Sequence, residues 1–267
     1  ASILAAPHRI LEEARKPRAF FPYGAWEMAF AFAYSKLLPG HCAFGAYAAG
    51  LLQLIIMILF VKACWTEGAA PEPYWNPVCM SCAATTIVAA PCLGARHWLS
   101  MSSFGLALLI CLVIAPPEAY AVLRDVKVSP HADVALLAAP CSISAAAFAA
   151  MKASRDIVLW SPAGDACVGG VLAGLATVYA FFTVYAVARR RATIKPFSLV
   201  WATMTFPSAI TCVVWLQYAP DGYSLWAARA VAVLDLAFIF AVVVGCGRLA
   251  FDELLKRRAS SSESCVV

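Results

Sequence analysis

The chain has 267 residues, of which 63% are hydrophobic and 13% charged, and its formal net charge at pH 7 is +5. The charged fraction is about half that of an ordinary soluble domain, and a water-soluble fold of this size could not bury so much apolar surface. The composition therefore excludes a soluble globular protein. It predicts an all-α integral membrane protein in contact with a lipid bilayer.

Apolar residues are grouped into about eight segments, each close to the 20 or so residues that a helix needs to cross the hydrocarbon core. In chain order they cover residues 20–38, 42–64, 77–93, 104–123, 132–151, 166–188, 196–218 and 226–249. The runs are continuous rather than alternating, which favours helices over the short strands of a membrane barrel. We therefore expect about eight transmembrane helices.

The distribution of basic residues predicts the orientation of these helices. Lys and Arg concentrate in cytoplasmic loops, and most of the 20 in this chain lie on the side of the N-terminus if the segments alternate in direction. We expect both termini in the cytoplasm and the protein in the plasma membrane. Residues 1–19 are then a cytoplasmic segment, 20–250 a transmembrane channel domain, and 251–267 a basic, Ser-rich tail that is disordered from Lys256 onwards.

Proline residues follow a pattern along the segments. The first, third, fifth and seventh segments contain Pro22, Pro91, Pro140 and Pro207, whereas the others have no internal proline apart from the pair at 116–117. A proline inside a helix removes one backbone hydrogen bond and kinks the axis. The alternation predicts repeated hairpins around a central pore, each with a kinked inner helix and a straighter outer one. The alternative is that Ala-Pro pairs are merely frequent in Ala-rich helices.

Small and hydroxyl-bearing residues dominate the third and fifth segments, which supports their inner position. Such side chains permit close helix packing, and they also leave room for a pore, so both interpretations stay open. Three acidic residues lie inside segments: Glu27, Glu118 and Asp235. Because a charge in a membrane interior is costly, each is a candidate for proton coupling or a gating ion pair. The alternative for each is a satisfied contact between helices.

The sequence does not predict an enzyme. The four histidines lack the spacing of metal ligands, no Gly-rich phosphate loop is visible, and neither a cofactor nor a metal is expected. Most of the 11 cysteines lie in apolar runs and read as reduced, packed thiols. The pair Cys79 and Cys82 leaves one alternative open, because two cysteines at this spacing can form a redox dithiol in a membrane thiol oxidoreductase.

Residues 197–207, FSLVWATMTFP, followed by Tyr218, resemble the ninth helix of the tellurite-resistance/C4-dicarboxylate transporter family, which includes the slow-type anion channels of plant guard cells. Three further stretches resemble the family in the same order. They are residues 16–21 with Trp26, residues 76–77 with Trp98, and residues 138–142. In the family's plant channels, a phenylalanine immediately before a proline in the ninth helix plugs the pore. Phe206 matches that residue.

The resemblance also implies an architecture. The family has ten helices in five hairpins and forms a trimer with one pore per subunit, so a homotrimer is expected. The first segment of this chain matches the family's third helix, which suggests that a first hairpin is missing. The sequence has no initiating methionine, so we expect either a truncated chain or a naturally short member.

These expectations define a function. The chain is predicted to be a channel or exporter for small anions such as chloride, nitrate, sulfite or malate, with no nucleic-acid partner. Phe206 gates a pore that is kinked at the four prolines and lined by Phe21, Thr85, Ser142, Thr203 and Ala209. The alternative is a proton-coupled dicarboxylate carrier that uses Glu118 or Asp235.

Overall fold

A computed structural model describes residues 16–37, 39–69, 72–128, 132–154, 161–191, 202–219 and 222–263 of the chain. Every regular element in these ranges is helical, and they contain no strand. The all-α class expected from the continuous apolar runs is therefore confirmed. Helices suit such runs because each helix satisfies its own backbone hydrogen bonds.

Nine α-helices and four short 3-10 helices make up the described ranges. The α-helices are α1 Phe21–Leu37, α2 Cys42–Glu67, α3 Asn76–Leu93, α4 Trp98–Val113, α5 Ala115–Arg124, α6 Ala139–Ala153, α7 Pro162–Arg189, α8 Ala202–Tyr218 and α9 Tyr223–Glu263. The 3-10 helices are Pro17–Phe20, Pro39–His41, Pro73–Trp75 and Ala132–Ala138. The last of these runs directly into α6.

In the described part of the chain, six helical stretches are long and apolar enough to cross a membrane, where the sequence predicted eight in the whole chain. They are Cys42–Glu67, Asn76–Leu93, Trp98–Arg124, Val134–Ala153, Pro162–Arg189 and Ser224–Leu249. The other two predicted spans correspond to α1 and α8, which have 17 residues each. At 1.5 Å per residue each is about 26 Å long, just short of a hydrocarbon core of about 30 Å. Residues 196–201 of the predicted seventh span lie outside the described part.

The four prolines of the alternating pattern occupy two different settings. Pro91 and Pro207 lie inside α3 and α8. Pro22 and Pro140 are instead the second residues of α1 and α6, each just after a 3-10 helix. A proline in the first turn removes no intrahelical hydrogen bond, since that amide has no partner there in any case. Of these four prolines, only Pro91 and Pro207 therefore remove an intrahelical hydrogen bond.

The helices divide into buried and peripheral ones. Of the most apolar 18 residues, 78% are buried in α3 and 89% in Val134–Ala153, against 33% in α2, 22% in α7 and 6% in α9. Outward-facing positions on the peripheral helices are large and apolar, for example Ile58, Phe181 and Phe240. A surface with so many exposed apolar side chains suits hydrocarbon rather than water.

The two buried helices lie between two less buried ones, so that α1, α3, α6 and α8 form a row in that order, which we call the inner row. In this row α3 contacts both α1 and α6, and α6 contacts α8. The peripheral helices pack along the outside: α2 on α1 and α3, α4 on α3 and α6, α7 on α6 and α8, and α9 on α8. Among the described residues α1 and α8 make no extensive contact, so the row is open between its two ends.

The last helix is longer than the sequence suggested. The composition indicated a disordered tail from Lys256, whereas α9 continues as one helix to Glu263. Its 41 residues measure about 60 Å along the axis, roughly twice the hydrocarbon core. The predicted boundary between residues 250 and 251 therefore falls within a helix.

A close approach between α1 and α3 depends on Gly24. A Cβ atom placed on Gly24 would lie 2.6 Å from the backbone C and O atoms of Pro77 and from the amide nitrogen of Val78. Backbone atoms cannot move aside as a flexible side chain can. The start of α3 is therefore packed against α1 at a position that only glycine fits.

We expect Gly24→Ala to lower the thermal stability of the purified protein, by about 1–3 kcal/mol of unfolding free energy, because the added methyl group overpacks this crossing. Gly105→Ala and Gly174→Ala are the matched controls, since a Cβ at either position has no atom within 4 Å. Thermal unfolding in detergent measures all three variants. An unchanged midpoint for Gly24→Ala would show that the crossing is looser than described.

Candidate functional site

Polar side chains are concentrated in the inner row, where the peripheral helices shield them. Six hydroxyl-bearing residues of the row are at most 4% exposed: Ser81, Thr85 and Thr86 on α3, Ser142 and Ser144 on α6, and Thr211 on α8. The small side chains between them, mostly alanine, let the helices approach closely. The row is therefore a polar interior inside an apolar exterior.

The first polar contact joins α1 to α3. Glu27 is fully buried, and the Thr85 hydroxyl lies 3.4 Å from its Oε1 atom and 3.2 Å from the Ser81 carbonyl oxygen. The second carboxyl oxygen, Oε2, has no hydrogen-bond partner. A buried carboxyl with so few partners is costly when it is charged. Glu27 therefore stays a candidate for a group that gains and loses a proton.

A second contact joins α6 to α8. The hydroxyls of Ser142 and Thr211 are 2.7 Å apart, and Thr211 also donates to the Pro207 carbonyl at 2.7 Å. Because both helices are held at the turn that follows the interior proline of α8, this contact fixes the distance between them there. Ser142, predicted to line a pore, is thus hydrogen-bonded to the neighbouring helix, and so is Thr85.

Glu118 belongs to a separate network at the start of α3. The Asn76 amide donates to Glu118 Oε1 and to the Leu136 carbonyl, both at 2.9 Å. One side chain therefore links α3, α5 and the 3-10 helix before α6. The sequence analysis singled out Glu118 but did not single out Asn76 as its partner, because the two are 42 residues apart.

Phe206 is partly buried and packs against the main hydrophobic core. The neighbouring Pro207 is buried, and Ala209 is partly buried. Pro91 is exposed on the outside of α3, and Pro140 is buried at the start of α6. The side chains of Phe21, Pro22 and Thr203 lie outside the described part of the structure.

Asp235 lies on α9, away from the row. It is partly buried beside Cys212 of α8 and lines a cavity of about 580 Å³ between α7, α8 and α9. The three acidic residues singled out from the sequence therefore have three different settings. Glu27 faces Thr85, Glu118 is bonded to Asn76, and Asp235 borders the cavity.

Arg190 is a buried residue that the sequence did not single out. Its guanidinium donates to the carbonyls of Val122, Asp125 and Val128 at 2.8–2.9 Å, and its side chain is 1% exposed. A cation at the end of a helix offsets the partial negative charge of the terminal carbonyls. Three consecutive arginines end α7, and nothing local indicates which of them turns inward.

The cysteines of the described part are all free thiols. Cys79 and Cys82 are buried on one face of α3, and the Cys82 thiol donates to the Cys79 carbonyl at 3.0 Å. A redox dithiol needs a thiolate that a partner can reach, and this burial gives no such access. Within the described ranges no group of three or more His, Cys, Asp or Glu residues could hold a metal ion.

No protein-family model matches the chain, and no curated protein and no solved structure gives a significant match. The relation to the tellurite-resistance/C4-dicarboxylate transporter family therefore stays a proposal that depends on the motifs alone.

We expect Asn76→Ala to cost about 1–3 kcal/mol of stability, because the buried Glu118 Oε1 and Leu136 carbonyl lose a shared donor. Glu118→Gln should cost less, since the amide oxygen of glutamine can still accept from Asn76. Gln217→Ala, at an exposed amide of α8, is the control. Chemical or thermal unfolding of the purified variants compares them, and equal stabilities for Asn76→Ala and Gln217→Ala would contradict the network.

Proposed function

We propose that this chain is the membrane-embedded body of a small-anion channel or exporter, with its path along the row α1, α3, α6 and α8. The proposal rests on how polar and apolar side chains are distributed, which is the reverse of their distribution in a water-soluble protein. Hydroxyl-bearing α3 and α6 are buried, whereas the peripheral helices expose large apolar side chains. A polar interior within an apolar exterior is what a path through a bilayer requires.

The chemistry of the row suits weak binding of anions. Hydroxyl groups and backbone amides freed near the prolines can solvate an anion, and described basic residues lie at the ends of the inner helices rather than in their middle. Weak sites let an ion leave as well as enter. The basic residues that end α7 would then attract anions to the cytoplasmic mouth, with both termini in the cytoplasm of a plasma-membrane homotrimer.

The described conformation corresponds to a closed path. The hydroxyls of Ser142 and Thr211 satisfy each other, and Phe206 packs against the core one residue before the kink. Opening would exchange the Ser142–Thr211 hydrogen bond for bonds to water or the anion. Since hydrogen bonds exchanged in this way contribute only about 1 kcal/mol net, a modest shift of α8 is enough.

We expect Phe206→Ala to raise basal anion conductance about tenfold or more, which corresponds to a loss of about 1.4 kcal/mol from the barrier. The reason is that removing the ring leaves the path without its obstruction. Patch-clamp recording or anion flux into proteoliposomes measures the change.

Phe240→Ala is the matched control, because the Phe240 ring is 71% exposed on the peripheral α9. It removes the same number of atoms outside the row and should leave conductance unchanged. If both variants conduct like the unchanged protein at equal surface expression, Phe206 is not the gate.

A second candidate is a proton-coupled anion carrier, and the setting of Glu27 favours it. Its fully buried carboxyl has an oxygen without a hydrogen-bond partner, so protonation could be linked to movement of α1 against α3. The sequence suggested Glu118 or Asp235 for this role. Glu118 is bonded to Asn76 in a network between helices, which is a more structural setting.

We expect Glu27→Gln to abolish the dependence of anion uptake on an imposed pH gradient if the chain is a carrier, because glutamine cannot exchange a proton. Glu67→Gln, at an exposed position at the end of α2, should keep the dependence. Uptake into proteoliposomes with and without a gradient distinguishes the two candidates. If anion uptake is the same with and without the pH gradient in the unchanged protein and in both variants, the chain is a passive channel.

A further inference from the structure

A cavity of about 580 Å³ lies outside the inner row, between α7, α8, α9 and the 3-10 helix Ala132–Ala138. Most of its wall is apolar, with Val184, Val187, Trp215, Leu234 and Phe238 among the lining residues. Its volume falls within the range of sites that bury drug-sized ligands. Of the row, only α8 contributes to the described lining, through Pro207, Ser208, Thr211, Cys212 and Trp215.

The cavity has a route from the surrounding hydrocarbon. Helices α7 and α9 both pack on α8, and among the described residues they make no extensive contact with each other. No extensive contact between described helices therefore closes the space between α7 and α9. A molecule dissolved in the bilayer would enter the cavity sideways through this space, without passing through water.

Two polar groups in the apolar wall have few partners. Asp235 is partly buried, and none of the described residues lining the cavity is a lysine, arginine or histidine. The hydroxyl of Thr183 is buried and has no hydrogen-bond partner. An acidic group in apolar surroundings is stabilised by a neighbouring cation. None of the described lining residues supplies such a cation.

Trp215 contributes an aromatic ring to the wall of the cavity. Its indole N–H donates to the Thr177 hydroxyl at 2.9 Å, so one edge of the ring is anchored to α7. An anchored aromatic ring offers a rigid face to an alkyl chain or a cation. The lining thus combines an apolar surface, an acidic group and an unpaired hydroxyl.

We propose that this cavity binds a hydrophobic amine, with the ammonium group beside Asp235 and Thr183 and the hydrocarbon chain among Trp215, Leu234 and Phe238. The amine supplies the positive charge that the described lining residues lack. Its chain replaces bilayer hydrocarbon against the apolar surface. A neutral or anionic amphiphile of the same length would fill the volume without matching the charge.

Occupancy of the cavity also has a consequence for α8. Pro207 and Ser208 line the cavity, and Phe206 precedes them on the same turn. A bound amine therefore touches the part of α8 that opening would move. We therefore expect the amine to inhibit or activate anion flux, and this expectation rests on the proposed function. The binding of the amine to the cavity does not depend on that function.

The test uses the full chain in nanodiscs of zwitterionic phosphatidylcholine, with tritiated decylamine as the probe and empty nanodiscs as the background. We expect saturable binding at one site per chain, with decan-1-ol and decanoate at least tenfold weaker as competitors. Asp235→Asn should remove this preference for the amine while decan-1-ol still competes. Asp252→Asn, at an exposed position on the same helix, should bind decylamine as the unchanged protein does.

A variant that fills the cavity tests the location of the site independently of the charge of Asp235. Ala180 lines the cavity, and Ala180→Phe should weaken decylamine and decan-1-ol alike. The proposal is overturned if decylamine shows only the non-saturable partitioning seen with empty nanodiscs. It is also overturned if decan-1-ol competes as well as the amine does, or if the Asp235→Asn variant still prefers the amine. If Asp235→Asn does not fold, the comparison of the three amphiphiles on the unchanged protein decides. Saturable binding without any effect on anion flux would contradict the link between the cavity and the movement of α8 and leave the binding site standing, whereas the absence of any anion flux in the unchanged protein would contradict the proposed function.

Discussion

The close packing of α3 against α6 is the constraint on which the other contacts depend. Both helices are almost completely buried, and their alanine, serine and threonine side chains let neighbours approach on several sides. As a result α3 holds α1, α2 and α4, while α6 holds α4, α7 and α8. Larger residues would push these neighbours apart and leave the interior hydroxyls without partners. The apolar residues of the chain are consequently displaced to the outside, where a water-soluble protein would keep its polar ones.

Hydroxyl groups in this interior serve two purposes that compete. In the described conformation Ser142 and Thr211 satisfy each other, as the Thr85 hydroxyl is satisfied by Ser81 and Glu27. The same groups could solvate an anion only after leaving these partners. A path built from hydroxyls is therefore closed by its own hydrogen bonds. Its opening costs little, because each bond that is lost has a replacement in the incoming water or ion.

The sequence predicted the helical class, and its small residues indicated that α3 and α6 are buried, because run length and residue size are local properties. Of the other two helices predicted to be inner, α1 and α8, most described side chains are partly buried or exposed. It could not predict pairings such as Ser142 with Thr211, which are 69 residues apart. It also could not separate Pro140, in a first turn, from Pro207, inside a helix, since both follow an apolar run. Which of the arginines 189–191 has a buried side chain depends on how α5 ends beside α7. This cannot be read from the sequence, because the two helices are far apart along the chain. The roles assigned to Phe206 and Glu27 stay predictions.

The helix α8 has a different environment on each side, and this sets it apart from α3 and α6. Thr211 bonds to Ser142 of the row and also borders the cavity, together with Pro207, Cys212 and Trp215. A helix with packed side chains on every side resists displacement, because movement in any direction creates overlap. With a cavity behind it and an interior proline within it, α8 has both the space and the weakened backbone that a displacement needs. Among the helices of the row α3 also has an interior proline and a cavity of about 670 Å³ beside Cys79, but α3 is almost completely buried. Most described side chains of α8 are only partly buried or exposed, so if one helix of the row moves, its looser packing favours α8.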